Sequence, residues 1–226
     1  MRAVAKTVKT LLVLLSVCLP MTAAAEQKPA QDKLAVTSAA TAVEYDYWVS
    51  LPAIILPQFA TKSWDDRTHT QHFELHIKRN LDDKNIVGLK LASWRLFQPM
   101  GILWWDGLLD SLDSKEEFYP GHVREDGIGL SYQRMLWEGL FVTVEVLPQL
   151  KTYLDEDGDT IQRGFKLYTS FHLGYHFSFG RFFVEPQVHS QFWLFDTNTP
   201  AAFKAKDNEW RDYFLFEPNI YAGVKF

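Results

Sequence analysis

The stretch that decides the fold is DYFLFEPNIYAGVKF, running from Asp212 to Phe226. Taken at every second residue it separates into two sets. Phe214, Phe216, Pro218, Ile220, Ala222, Val224 and Phe226 carry no charge. Tyr213, Leu215, Glu217, Asn219, Tyr221, Gly223 and Lys225 hold every charged group from Tyr213 onward. A period of two with one wholly apolar face predicts a β-strand whose faces meet different media. The apolar set is assigned outward, to lipid, and the ionisable set inward, to a lumen.

The N-terminal segment gives a compartment that suits this assignment. Arg2, Lys6 and Lys9 precede a short apolar run, Leu11 to Leu19, which ends at the small-residue site Ala23-Ala24-Ala25. This is the pattern of a signal peptide over residues 1–25. The only cysteine, Cys18, lies in that run, and bulky Val17 before it argues against lipoprotein processing. The mature chain then has no thiol, which excludes disulfides and thiolate catalysis. Residues 26–43 are polar and aperiodic, the composition of a flexible periplasmic leader. Residues 44–226 form the predicted barrel. No later run approaches the ~20 apolar residues of a spanning helix, yet aromatics make up 15% of the chain. The net charge of −5 argues against nucleic acid as a partner.

The same alternation recurs upstream. Phe73, Leu75 and Ile77 oppose His72, Glu74, His76 and Lys78, and Val87, Leu89 and Leu91 head the next outward face. A strand from Gly127 to Trp137 leads through Glu138-Gly139 to Leu140–Tyr153. There Val142, Val144, Val146 and Leu150 point outward, and Thr143, Glu145, Gln149 and Lys151 inward. Arg163 to Phe179 sets Phe165, Leu167, Phe171, Leu173, Tyr175 and Phe177 against Lys166, Ser170, His172, His176 and Ser178. Phe182 to Phe195 sets Val184, Val188, Phe192 and Leu194 against Glu185, Gln187, His189 and Gln191. Arg134 is a charge that this register places outward. Connections alternate in length: Leu81–Asn85, Glu138–Gly139 and Gly180–Arg181 are short, and Gln98–Asp126, Asp155–Gln162 and Asp196–Arg211 are long. Short periplasmic turns and long external loops are the outer-membrane arrangement. A strand must rise before Thr70, so Tyr45–Phe59, broken by Pro52 and Pro57, is an irregular first strand. That makes about eight strands, a closed antiparallel transmembrane β-barrel of the all-β class. Tyr45, Trp48, Trp94, Trp137 and Tyr213 fall near strand ends and are expected in headgroup girdles.

The terminal strand, ending on Phe226, resembles the closing strand of bacterial outer-membrane barrels. That resemblance implies that Tyr221, Val224 and Phe226 form a signal read by the barrel assembly machinery. The whole pattern is similar to the small OmpA-, OmpX- and OmpW-like barrels. It implies a monomer in the cell outer membrane, in contact with lipid and lipopolysaccharide. A soluble lipocalin-like barrel, with the same alternation and the faces reversed, is the rival.

The inward set gathers Glu74, His76, Glu145, His172, His176, Glu185, His189 and Glu217. A barrel of about eight strands is filled by its own side chains, so these groups read as a buried polar network rather than a wide pore. A narrow path for ions or small solutes, porin-like in kind, is the functional alternative. His72/His76 and His172/His176 are four apart, which on a strand separates them by about 13 Å, too far for one metal ion. Asp155, Asp157 and Asp159 resemble part of a calcium loop but lack the spacing of an EF-hand. The sequence carries no cofactor motif. Outer-membrane lipid A deacylases use a His-x-Ser pair on one strand face; here His189 and Ser190 are adjacent and point to opposite faces. A lipid-modifying barrel enzyme, acyl hydrolase or transferase in type, is therefore kept as the alternative to a non-enzymatic protein. Phe-Val-Glu-Pro at Phe183–Pro186 recurs as Leu-Phe-Glu-Pro at Leu215–Pro218, a shared structural device. The segment 98–126 is the predicted ligand or partner loop. Its Ile102, Leu103, Trp104, Trp105, Leu108, Leu109 and Leu112 form an apolar patch outside the barrel. The expected role is thus structural, or the binding of a small ligand or partner through this loop.

Overall fold

The structure is a computed structural model and describes residues 45–53, 71–100 and 118–226. The predicted signal peptide, the predicted leader, Pro57 and all seven apolar residues of the predicted ligand loop, Ile102 to Leu112, lie outside the described residues. The strands are β1 (Tyr47–Pro52), β2 (Gln71–Asn80), β3 (Asn85–Leu96), β4 (His122–Trp137), β5 (Leu140–Leu154), β6 (Thr160–Tyr175), β7 (Phe177–Phe179), β8 (Phe182–Asp196) and β9 (Tyr213–Lys225). One helix, α1 (Ala201–Asp207), sits between β8 and β9. Each strand pairs antiparallel with its neighbours, and β1 joins β9 to close the cylinder. β6 and β7 are one strand interrupted at His176, whose backbone N–H donates to Gly139 at 2.8 Å. The result is a closed eight-stranded antiparallel β-barrel.

Local chemistry explains the tight turns at one end. Glu138 and Gly139 both hold positive φ, 42° and 97°, the requirement of a type I′ hairpin. Gly180 at φ 65° starts a two-residue turn, which pairs Phe179 with Phe182 and Phe177 with Val184 as the sequence predicts. Asp82 closes the third turn by accepting from the backbone N–H of Lys84 and Asn85, each at 2.8 Å. The Asn85 side-chain amide, which donates to the same carboxylate at 2.8 Å, and then these backbone bonds hold its carboxyl below the usual carboxylate range.

Faces follow the predicted register. Leu130, Leu150 and Phe216 are among the most exposed residues, at 69%, 68% and 68%, whereas Glu145 and Glu185 are 2% and 1% exposed. Val188, Leu173 and Ile220 are likewise exposed on the outside. The cylinder is therefore apolar without and polar within, the reverse of a lipocalin-like barrel. Arg134 does face outward, close to the Glu138–Gly139 turn; its guanidinium donates to Asn85 Oδ1 at 3.4 Å. Its long stem lets the charge reach the rim.

Several expectations need correction. β4 begins at His122, so the predicted loop to Asp126 is too long. β6 begins at Thr160, which shortens the acidic connection to Asp155–Asp159. The predicted last loop contains α1, where helix-forming Ala and Lys residues are anchored by one buried side chain, Phe203. β1 is short but regular over six residues, pairing on both edges and placing Pro52 at its end. Trp48 and Trp94 are not girdle residues; they face inward at 6% and 2% exposure. Phe214 also turns inward. A bulge at Phe216, φ 57°, opposes Gln191 to Phe214 and His189 to Glu217, which shifts the phase of β9 by one residue. A second bulge at Leu194 aligns Trp193 with Tyr168 and Phe195 with Leu167, so Leu194 is not an ordinary outward residue.

Candidate functional site

The inward residues stack in layers along the barrel axis. At the turn end, Trp48, Ile86 and Phe183 pack together with Met135. Above them, Lys78 Nζ donates to Glu185 at 3.0 Å and to Gln133 at 2.7 Å, and His176 Nδ1 lies 3.0 Å from the same glutamate. Trp48 stacks on His176 with ring centroids 4.7 Å apart.

The middle layer is ionic. Lys90 Nζ sits 3.0 Å from Glu145 and 3.1 Å from Glu74. His76 stands 3.6 Å from both carboxylates. The Tyr221 hydroxyl donates to Glu74 at 2.9 Å, so this member of the predicted assembly signal faces inward, while Val224 and Phe226 are exposed outside. His172 and His189 meet at 5.2 Å across β6 and β8, and His189 Nε2 lies 2.6 Å from Glu217. All eight predicted network residues therefore face the lumen, and most are joined through shared partners. Burial makes an unpaired polar group costly, which such mutual satisfaction offsets.

Ser170 Oγ lies 2.8 Å from His172 Nε2 and donates to Glu145 at 3.1 Å. Glu145 also faces that same ring nitrogen, at 3.4 Å. A relay needs the acid on the other nitrogen, so this trio does not have triad geometry. Ser190 lies on the opposite face from His189, and its hydroxyl accepts the Phe216 backbone N–H at 3.3 Å. Asp155 spends its carboxylate on the backbone N–H groups of Asp157 and Asp159 at 3.1 Å and 2.8 Å. Among the described residues no group of three His, Cys, Asp or Glu side chains converges as a metal site.

An apolar layer caps the ionic one. Trp94 meets Tyr168 edge-on at 5.2 Å, Tyr168 stacks on Trp193 at 6.1 Å, and Trp193 meets Phe214 at 6.0 Å. Ala92 and Leu147 complete the packing. On each contributing strand these residues lie between the ionic groups and the loop end. Sequence reading missed this layer because Trp94 was assigned to a girdle and both bulges were invisible to a strict period of two.

Beyond the aromatic layer the barrel opens into a cavity of about 520 Å³. Its walls include Glu125 from β4, Lys151 and Tyr153 from β5, Lys166 from β6, and Trp193, Leu194 and Asp196 from β8. Lys166 pairs with Glu125 at 2.8 Å, and Lys151 pairs with Asp196. Tyr153 donates to Thr199 at 2.9 Å. The rim is built by α1 and its flanks, which contribute Lys204, Asp207, Asn208, Trp210, Arg211 and Asp212. Phe203 fixes α1 there, with ring centroids 5.0 Å from Tyr119 and 5.1 Å from Tyr153. The Tyr119 hydroxyl donates to Asp207. Burial pushes the Tyr119 phenol well above its ordinary value, and the Asp207 carboxylate adds to this. Burial also raises Asp207, partly opposed by that hydrogen bond.

Pro99, Met100, Tyr119, Val123 and Glu125, from the described parts of segment 98–126, line this cavity, whereas Arg124 and Asp126 lie on the outer face. The remaining wall residues were not singled out as a site. Lys166 and Gln191 were legible as inward, but only the barrel's stagger shows which inward residues share a level. No protein-family model, curated protein or solved structure matches the chain.

Proposed function

We propose that this protein is a non-enzymatic small-ligand-binding β-barrel of the bacterial outer membrane, with the loop-end cavity as its binding site. The observation that carries the reading is the aromatic layer, Trp94, Tyr168, Trp193 and Phe214, lying directly beneath a polar cavity of about 520 Å³. Ligand pockets of this size with a few convergent polar groups hold drug-sized molecules. The alternatives, a narrow channel and a lipid-modifying enzyme, both need access to the ionic layer, and the aromatic layer argues against each.

The outer surface supports a membrane setting. Outward residues from Val142 to Leu150 on β5 are uncharged. Eight residue steps at about 3.4 Å, tilted by roughly 40°, give about 20 Å of height, close to the ~25 Å apolar band of such barrels. At the edge of that band the outward face turns charged: Asp126, directly opposite Leu150, is paired with Arg124 at 2.8 Å. In this reading residues 1–25 are cleaved, residues 26–43 lie in the periplasm, the assembly machinery reads the last strand, and the monomer contacts lipopolysaccharide.

The test is membrane fractionation with heat-modifiable gel mobility, followed by planar-bilayer recording. The expected outcome is an outer-membrane protein that migrates faster unboiled and gives no conductance steps. Recovery as a soluble periplasmic protein would end the membrane reading; steady single-channel currents would end the sealed-lumen reading.

A further inference from the structure

We propose that Arg95, Arg124 and Arg163 form a site on the outer wall for a lipid headgroup carrying two phosphates, with lipopolysaccharide as its source. This rests on the membrane reading above and assigns one of its lipid contacts to named residues. The strand register sets the three side by side. Arg95 on β3 is opposite Arg124 on β4, Arg124 is opposite Thr152 on β5, and Thr152 is opposite Arg163 on β6. Opposite residues share a face, and the alternation that buries Trp94, Val123 and Lys151 turns this row outward. Three strand spacings of about 4.8 Å make the row about 14 Å long, longer than a single phosphate can span.

Two features select a phosphorylated lipid over a soluble anion or an uncharged lipid. The first is charge. The Arg95 guanidinium lies 5.4 Å from the Phe97 ring centroid and donates to His122 Nε2 at 3.3 Å, which fixes its position. Arg124 pairs with Asp126 at 2.8 Å, but the two side chains are 61% and 42% exposed. Such a pair contributes little, and a guanidinium has five N–H groups, so Arg124 keeps donors to spare. Arg163 is exposed. Three guanidinium groups therefore meet one bordering carboxylate. The four acidic residues of Asp155–Asp159 lie beyond the ends of β5 and β6, where Asp155 accepts from backbone N–H groups of its own loop. Guanidinium binds phosphate in a bidentate manner. The second feature is the wall beneath. One step toward the turn end, Leu150 and Phe165 lie in register with Asp126, and Ile128 and Leu130 follow on β4, all exposed. A cationic row along the top of an apolar wall fits an amphiphile, with its phosphates on the arginines and its acyl chains below.

The experiment uses the full chain refolded in lauryl-dimethylamine oxide micelles, with bound lipid counted by native mass spectrometry. The probes are diphosphorylated lipid A, the same lipid with its phosphates removed, phosphatidylglycerol, cardiolipin and inorganic phosphate as a competitor. The expected result is saturable binding of diphosphorylated lipid A that weakens with salt and is lost with the phosphates. Arg95→Gln, Arg124→Gln and Arg163→Gln should each weaken it about 5-fold, and the triple variant about 100-fold, with heat-modifiable mobility retained. Arg134→Gln makes the same charge change at the turn end and should leave binding as in the parent. Equal binding of the dephosphorylated lipid overturns the phosphate site. Equal weakening by Arg134→Gln overturns it too, because general charge then suffices. Displacement by inorganic phosphate at matched concentration makes the ligand a free anion and overturns the lipid. Cardiolipin or phosphatidylglycerol binding as tightly as lipid A overturns lipopolysaccharide as the source. Absence of lipid binding in a parent that keeps its mobility shift removes this site and leaves the membrane reading standing, whereas a parent without that shift removes both.

Discussion

Replacing Lys90 by methionine is the sharpest test of how the interior is held together. Lys90 Nζ lies 3.0 Å from Glu145 and 3.1 Å from Glu74, and the lysine side chain is 4% exposed. Its removal leaves two buried carboxylates on one level, with His76 3.6 Å from each and His172 3.4 Å from Glu145 as the remaining compensating rings. Breaking a buried ion pair by deleting one partner costs about 3–5 kcal/mol, chiefly the penalty of an uncompensated buried charge. With a urea slope of about 2 kcal/mol/M, the unfolding midpoint falls by about 2 M. The assay is equilibrium urea unfolding of vesicle-embedded protein, followed by tryptophan fluorescence and by unboiled gel mobility. A double variant, Lys90→Met with Glu145→Leu, removes the charge that the single variant strands. Glu74 keeps the Tyr221 hydroxyl at 2.9 Å, so at least half of the loss should return. A single variant within about 0.5 kcal/mol of the parent, the usual range for surface changes, would refute the buried-network argument. Equal loss in single and double variants would assign the cost to packing rather than to charge.

Three further outcomes follow from the same geometry. Leu130→Arg, at an outward position 69% exposed, should cost about 2–4 kcal/mol in vesicles if it lies near the bilayer midplane; no measurable cost would contradict lipid contact there. Phe203→Ala deletes the buried anchor between Tyr119 and Tyr153 and should cost up to about 3–5 kcal/mol of local docking. Proteolysis within residues 197–212 with unchanged barrel mobility is the expected readout, and protection equal to the parent's would contradict it. Asp207 has its carboxyl raised by burial, so folding favours its protonated form. The stability it contributes is present below the ordinary carboxylate range, near pH 4, and declines as pH rises through the raised folded value. Hydrogen exchange across Ala201–Asp207 should therefore quicken as pH climbs above 4, beyond its intrinsic trend, and Asp207→Asn should flatten that excess.

Alternation alone determined the all-β class, the short turns and which face of each strand is apolar, because side chains alternate with a period of two whatever the tertiary context. It also placed Glu74, His76, Glu145, His172, His176, Glu185, His189 and Glu217 on the lumen side. Where a bulge breaks that period the reading failed, as at Phe214 and Leu194. Tryptophan gave a second kind of error: amphipathic Trp48 and Trp94 suit either a membrane interface or a packed interior, and only neighbours such as His176 and Tyr168 decide between them. The loop-end cavity belongs wholly to the tertiary structure. Glu125 and Lys166 are far apart in sequence and on strands that are not adjacent, yet they pair at 2.8 Å. Closing a tilted, staggered sheet sets which inward residues share a level, and that stagger is a property of the cylinder that no single strand encodes.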